Sequence, residues 1–256
     1  MAFFMNLSPG LRTRVLVLLG VAAFCAVALG FVRPIAQSLA YHHFADQRAL
    51  WGIPNFADTV SNLPFLFVGI WGIVIILRGV RFIDARERWP YLIFFAGVAL
   101  TCIGSSYYHL APDNDRLVWD RLPMTVGFMS LLAAIVAERI DVKAGLALLG
   151  PLLLLGAASV WYWHWSDDLR MYAFVQFFPA LGIPLMMWLF PPRYTRSIDL
   201  LPAVGFYVLA KVLEAEDKRI YAIGGVVSGH TLKHLAAAAA TAWILGMLIR
   251  REPVHT

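Results

Sequence analysis

The chain has 256 residues, of which 60% are hydrophobic and 14% are charged, and its mean hydropathy is +0.70. Soluble domains are nearer half apolar and a quarter charged, so the composition indicates a membrane protein and excludes a disordered chain, a disulfide scaffold and a nucleic-acid-binding module. The net charge of +5 comes from basic residues scattered between apolar runs. This pattern is typical of orientation in a lipid bilayer and does not form a phosphate-binding face.

Eight apolar runs are long enough to cross a bilayer as helices, which requires about 20 mostly apolar residues. They lie near residues 12–32, 60–79, 89–110, 121–138, 142–163, 171–190, 198–215 and 229–249. Because they occupy most of the chain, we predict one transmembrane domain over 1–256, an all-α polytopic membrane helix bundle with short loops. The longest connection, 33–59, mixes polar and apolar residues and can fold back on the membrane surface.

The first run allows two interpretations. Arg12 and Arg14 precede it and it contains Ala26-Val27-Ala28, a pattern that also occurs in cleaved secretory signal peptides. The run is long for a signal peptide, which favours a retained helix.

The distribution of basic residues predicts the orientation, because short cytoplasmic loops are enriched in Lys and Arg. An inner N-terminus gives twelve basic residues on the inner side and eight on the outer side, with the densest group at 78–88. We therefore expect both termini inside. The excess of arginine over lysine, 17 against 4, suggests a bacterial source and hence a bacterial inner membrane.

Polar residues of three predicted spans fall at the same depth. The third span ends with Ser105 and His109, the fourth begins at Asp120, and the eighth begins with His230 and His234. In the predicted orientation all of these lie toward the outer, periplasmic side. Ionisable residues at membrane depth are costly and commonly functional, so this level is the candidate site.

The spacing of the histidines indicates a metal site. His230 and His234 are four residues apart and share one helix face at about 6 Å, as in the helices of zinc enzymes. His109 would complete a set of three protein ligands with one open position. Asp120 is expected beside the metal or its water, and Ser105 shares a face with His109. The alternatives are interfacial polarity for the histidine pair, a hydroxyl bonded to its own helix backbone for Ser105, and a solvated loop charge for Asp120.

Charged residues near this level have simpler interpretations. Lys233 lies about 100° around the helix from His234, so we expect it to point away from the metal and to reach the lipid headgroups. The charged residues that precede the eighth span are expected to form a solvated turn: Glu214, Glu216, Asp217, Lys218 and Arg219.

At these residues the chain resembles the alkaline ceramidases, which belong to a superfamily of membrane hydrolases shared with the progestin/adiponectin receptors and the GPI-lipid-remodelling proteins. The resemblance extends from about residue 46 to residue 234 in the family's order, and its Asp-x-Leu-Pro-Met run favours the ceramidase branch. The matching segments are Thr59-Val60-Ser61-Asn62-Leu63, Ser105-xxx-His109, Asp120 with Leu122-Pro123-Met124, and Gly229-His230-xxx-His234.

The resemblance implies a zinc ion held by His109, His230 and His234. It implies that Asp120 works with the metal-bound water and that Ser105 completes the catalytic site. It further implies a seven-helix hydrolase core, here 34–250, to which 1–33 adds an extra N-terminal helix. The expected activity is zinc-dependent hydrolysis of the N-acyl bond of ceramide or a similar lipid amide, giving a fatty acid and a sphingoid-type base.

One departure from the family concerns calcium. Relatives carry an acidic, calcium-binding stretch before the Ser-Asn helix, whereas this chain has Asp46, Arg48 and Asn55 there, with far fewer carboxylates. Calcium prefers six to eight oxygen ligands, so a calcium site is doubtful, and Arg48 can act as a built-in cation in its place.

Two other functions are compatible with the pattern. A lipid-sensing protein would use zinc structurally and without turnover, and would then present four protein ligands to the metal. A proton-coupled transporter would continue its polar residues through the bundle to the inner face.

Overall fold

The computed structural model describes residues 8–254, and the protein is 79% helical with no strand in this described part. The α-helices are α1 (Pro9–Phe31), α2 (Phe56–Val60), α3 (Leu63–Arg78), α4 (Arg88–Leu110), α5 (Asn114–Arg139), α6 (Val142–Ser166), α7 (Arg170–Leu189), α8 (Leu200–Ala215), α9 (Asp217–Gly224) and α10 (Gly229–Arg250). Short 3-10 turns cover Leu39–His42, Ala85–Glu87 and Ser197–Asp199. The predicted all-α multi-pass bundle is therefore confirmed.

Seven helical segments of the described chain are long and apolar enough to cross a membrane. They are Pro9–Phe31, Phe56–Arg78, Ala85–Leu110, Asn114–Arg139, Val142–Ser166, Arg170–Leu189 and Gly229–Arg250. The remaining predicted span, 198–215, is helical only as the 16-residue α8. At 1.5 Å per residue α8 is about 24 Å long, which is shorter than the hydrocarbon core of a bilayer.

Polar caps fix where the central helices begin. The carboxylate of Asp113 accepts a hydrogen bond from the Arg116 amide at 2.7 Å, and Asp141 does the same for Ala144 at 2.8 Å. Such caps satisfy amides that have no partner within their helix. The chain turns from α9 toward α10 at Gly225, whose φ of +64° suits glycine.

The helices pack as a bundle with α1 outside it. The most extensive packing joins α4 to α5, followed by α5 with α6 and α8 with α10. Helix α1 contacts mainly α7, and Val15 is its one buried residue. It is tied to the bundle at its C-terminal end, where Arg170 donates a 2.7 Å hydrogen bond to the carbonyl of Val32. This peripheral position agrees with the expected extra N-terminal helix.

Residues 33–55 lie across one end of the bundle. Phe44 and Asp46 are buried there, and the Ala45 amide donates to the carboxylate of Asp217 at 2.9 Å. The ends of α4 and the starts of α5 and α10 meet beneath this segment, as the sequence predicted.

Gly104 permits the close approach of α4 to α5. A Cβ atom at this position would lie 2.0 Å from the carbonyl oxygen of Trp119, which belongs to the backbone of α5 and cannot rotate away. This contact brings the end of α4, with Ser105, against the start of α5, with Asp120.

We expect Gly104→Ala to destabilise the protein by about 1–3 kcal/mol, because the added methyl group overpacks a helix interface. Gly150→Ala is the matched control, because Gly150 is exposed and has open space around it. That change should be neutral or stabilising by up to about 1 kcal/mol through helix propensity. Thermal unfolding in detergent measures the stability of both variants relative to the wild-type protein. Equal melting temperatures for the two variants would contradict the packing argument.

Candidate metal centre

Three buried imidazoles meet at the covered end of the bundle. His109 is 0% exposed, and His230 and His234 are each 3% exposed. Their ring centroids are 4.9–5.0 Å apart in every pairing, and one nitrogen from each ring lies within 4.8 Å of the other two. The His109–His230–His234 cluster can hold a metal ion, as the spacing predicted.

The hydrogen bonding of two of these rings, His109 and His234, fits a metal ligand set. Both ring nitrogens of His109 and the Nε2 atom of His234 are buried and have no hydrogen-bond partner among the described residues. Buried polar atoms without partners are rare because their desolvation is not offset. Neutral imidazoles with free nitrogens are the donors that zinc and related divalent ions bind.

Two carboxylates, those of the buried Asp58 and the partly buried Asp217, position the start of α10. Asp58 accepts hydrogen bonds from the hydroxyls of Ser228 at 3.2 Å and Thr231 at 2.6 Å. Asp217 accepts one from the His230 amide at 2.8 Å. Carboxylates are favourable at a helix N-terminus, where free amides and the helix dipole carry positive charge. The first turn of α10, with His230, is thereby fixed from two sides.

Gly229 allows α8 to lie against this first turn. A Cβ atom at Gly229 would lie 2.2 Å from the carbonyl oxygen of Leu213 in α8. The close approach brings the C-terminal end of α8, with Glu214, next to the histidines.

Neighbouring side chains orient the three rings. The Ser61 hydroxyl lies 2.8 Å from Nδ1 of His234, which leaves Nε2 of that ring free. Phe44 packs against both His109 and His230, with ring centroids 4.7 and 4.5 Å away. The Asn55 amide donates to the backbone carbonyl of His109 at 2.8 Å. Such outer contacts fix the orientation of metal-ligating histidines.

Asp120 and Ser105 lie in the same region as the metal cluster. Both are buried, at 5% and 2% exposure, and the Ser105 side chain lies beside the Asp120 carboxyl. Together with His234 they line one internal cavity of about 230 Å³. The structure thus brings the three predicted histidines together, and it places Ser105 and Asp120 on the wall of a cavity that His234 also lines.

The prediction for Lys233 is wrong. Its ammonium does not reach the headgroups: it lies 2.9 Å from Nε2 of His230 and 3.1 Å from the Glu214 carboxylate. The reason is Glu214, which was expected in a solvated turn but has a side chain that is only 12% exposed and also binds Lys211 and the Tyr41 hydroxyl. The largely buried carboxylate draws the lysine inward.

For the rest of the predicted turn, the prediction is confirmed for Glu216 and wrong for Asp217. Glu216 pairs with the exposed Arg219 and is solvated as expected. Asp217 instead binds the backbone of residue 45 and of His230, so this part of the prediction is wrong. The local sequence cannot distinguish the solvated Glu216 from Asp217, because the backbone amides that bind Asp217 belong to other segments of the chain.

Asp46 is already satisfied by Arg48. The guanidinium binds the carboxylate through two hydrogen bonds of 2.8 and 2.7 Å and holds the pKa of Asp46 below its usual range. The same guanidinium donates to the carbonyl of Val226 at 2.7 Å. Arg48 therefore supplies the positive charge next to the Asp46 carboxylate.

The cavity next to the metal cluster is polar at one end and apolar in its depth. The charged side chains among its lining residues belong to the end near His234, whereas Phe94, Leu131, Ile183 and Ile244 form the deeper wall. From Asp120 to Leu131 is eleven residues of α5, or about 16 Å. The cavity lies between α7 and α8, which make few contacts with each other.

No protein-family model matches the chain, and no curated protein matches its sequence.

Replacing Ser61 with alanine should weaken metal binding about 10- to 100-fold, because the hydroxyl that orients His234 is lost. Ser130→Ala is the matched control, since that buried serine bonds only to carbonyls of its own helix. Titration of the purified proteins with zinc against a competing chelator measures both affinities. An affinity of Ser61→Ala equal to that of Ser130→Ala would show that the hydroxyl does not orient the ring.

Proposed function

We propose that the protein is a zinc-dependent intramembrane amidohydrolase. It cleaves the N-acyl bond of ceramide or a similar lipid amide to a fatty acid and an amine, which is a sphingoid-type base if the substrate is ceramide. The observation that carries the proposal is the buried set of three imidazoles, one of which, His234, lines an apolar cavity together with Asp120 and Ser105. The resemblance to the alkaline ceramidases points to the same reaction.

The residues of the site have distinct roles in this proposal. His109, His230 and His234 hold the zinc ion, which when bound supplies a Lewis acid and lowers the pKa of a water molecule to about 7. Asp120 accepts a proton from the attacking water and donates it to the leaving amine nitrogen. The Ser105 hydroxyl donates a hydrogen bond to the carbonyl oxygen as negative charge develops there. The acyl chain lies along the deeper apolar wall.

The alternative is a lipid sensor in which zinc is structural. Structural zinc sites have four protein ligands, whereas the described residues offer one cluster of three histidines with a carboxylate nearby. This favours the hydrolase. A proton-coupled transporter is disfavoured by the apolar wall that follows the polar end of the cavity.

From the distribution of Lys and Arg we further propose that the site faces the outer side of a bacterial inner membrane.

Zinc content tests the metal centre directly. Purified wild-type protein should contain about one zinc per chain, and His230→Ala should contain almost none, because two imidazoles bind zinc far more weakly than three. Inductively coupled plasma mass spectrometry gives both values. His43→Ala, in the exposed loop, serves as the control and should retain the metal. Near-zero zinc in the wild-type protein after zinc supplementation would end the proposal.

Substitution of the two catalytic residues should reduce turnover without removing the metal. Asp120→Asn should lower kcat on a lipid amide about 10²- to 10⁴-fold, because the proton acceptor is lost. Ser105→Ala should lower it by up to about 10²- to 10³-fold. Asp115→Asn is the control, since this side chain on the same helix is 88% exposed. Fatty acid release measured by mass spectrometry, with zinc content measured alongside, separates catalysis from binding. Full activity of Asp120→Asn would exclude the assigned role.

A further inference from the structure

Arg121 is a buried cation without a carboxylate partner. It is 6% exposed, and among residues 8–254 no carboxylate oxygen lies within 4.0 Å of its guanidinium. Its Nη2 atom donates to the side-chain oxygen of Gln37 at 2.6 Å, while its Nη1 atom is buried without a partner. Taking a charge out of water is costly unless a counter-ion or hydrogen bonds offset it. The guanidinium therefore retains capacity for an anion.

Aromatic rings hold this guanidinium in place. Its Cζ atom lies 4.0 Å from the ring centroid of Trp163, 4.6 Å from that of Tyr172 and 5.9 Å from that of Tyr41. Aromatic rings stacked on the face of a guanidinium leave its in-plane N–H groups free to donate hydrogen bonds. The geometry of these groups matches the two oxygens of a carboxylate. Arg121 also lines the cavity that Asp120 and His234 line, so its side chain is part of the candidate active site.

The other cations at this end of the cavity share one carboxylate. Lys211 and Lys233 both bind Glu214. The five charged residues that line the cavity are Asp120, Arg121, Lys211, Glu214 and Lys233. They comprise three cations and two carboxylates, so this end of the cavity carries one excess positive charge, and Arg121 is the cation among the five that binds no carboxylate of the described chain within 4.0 Å.

We propose that Arg121 binds a carboxylate on the amine portion of the lipid amide, so that the substrate class is the N-acyl amino acids and not the neutral ceramides. This inference rests on the proposed amidohydrolase function. Arg121 follows Asp120 directly in α5, with their Cα atoms about 3.8 Å apart. In an N-acyl amino acid the carboxylate is attached to the carbon that bears the amide nitrogen. Because Arg121 and Asp120 line the same cavity, one ligand with its anion next to its amide can contact both side chains.

A matched pair of ligands tests the inference by binding. N-lauroylglycine and N-lauroylethanolamine share an acyl chain and differ chiefly in the carboxylate. Full-length protein treated with chelator, which prevents turnover, is titrated with each by calorimetry in the same detergent. We expect the wild-type protein to bind N-lauroylglycine about ten-fold or more tightly than the neutral amide, as a charge-assisted hydrogen bond implies. In Arg121→Gln the two affinities should differ by less than about two-fold.

Two further variants control for loss of structure. Arg116→Gln removes a more exposed arginine from the same helix and should keep the wild-type preference. Arg121→Lys keeps the positive charge but lacks the planar guanidinium, so it should retain part of the preference for N-lauroylglycine. The comparison between variants is decisive, because partition of the ligands into detergent is the same for each protein. An equal affinity of the wild-type protein for both ligands, or an unchanged preference in Arg121→Gln, would overturn the inference.

Turnover separates the inference from the proposed function. With zinc bound, the wild-type protein should cleave N-lauroylglycine with a kcat/KM about ten-fold or more above that for N-lauroylethanolamine. Equal cleavage of both would overturn the role of Arg121 and support the amidohydrolase. Absence of cleavage together with the carboxylate preference in binding would support the role of Arg121 and count against the amidohydrolase.

Discussion

The fixed N-terminus of α10 is the constraint on which the candidate site depends. Asp58 and Asp217 come from distant parts of the chain and bind the first turn of this helix through Ser228, Thr231 and the His230 amide. Because the turn cannot rotate, two imidazoles are held on the face that His109 approaches from α4. Removal of this anchorage would leave His230 and His234 on a helix with several nearly equivalent orientations, in which the rings would not converge.

The sequence predicted the bundle and the metal cluster because both depend on regular helical geometry. A run of apolar residues has a defined length in a bilayer, and residues four apart share a helix face regardless of what surrounds them. The depth of His109 followed from the alternating direction of the spans. For α8 the predicted ends, 198–215, were nearly right, but the helix Leu200–Ala215 has only 16 residues and falls short of the length that crossing a bilayer requires.

The charged surroundings of the metal cluster could not be predicted in the same way. Lys233 turns toward His230 because Glu214, nineteen residues earlier, is largely buried beside it. Phe44 packs on two imidazoles from a segment without regular structure, and neither its spacing nor its residue type indicated this. Ser61 lies in one of the sequence segments that resemble the ceramidases, but nothing in the sequence indicated its contact with His234. Each of these interactions joins separate segments, so it depends on the tertiary fold and not on a local pattern.

The segment that lies across the bundle has a consequence for how a ligand reaches the cavity. Phe44 covers His109 and His230 at the end of the bundle, whereas α7 and α8 stand apart along the side that faces the hydrocarbon. A lipid that enters between these helices moves by two-dimensional diffusion in one leaflet. Occupancy of the cavity is then governed by the mole fraction of that lipid in the bilayer, and dilution with inert lipid lowers it even when the molar concentration in the sample stays constant.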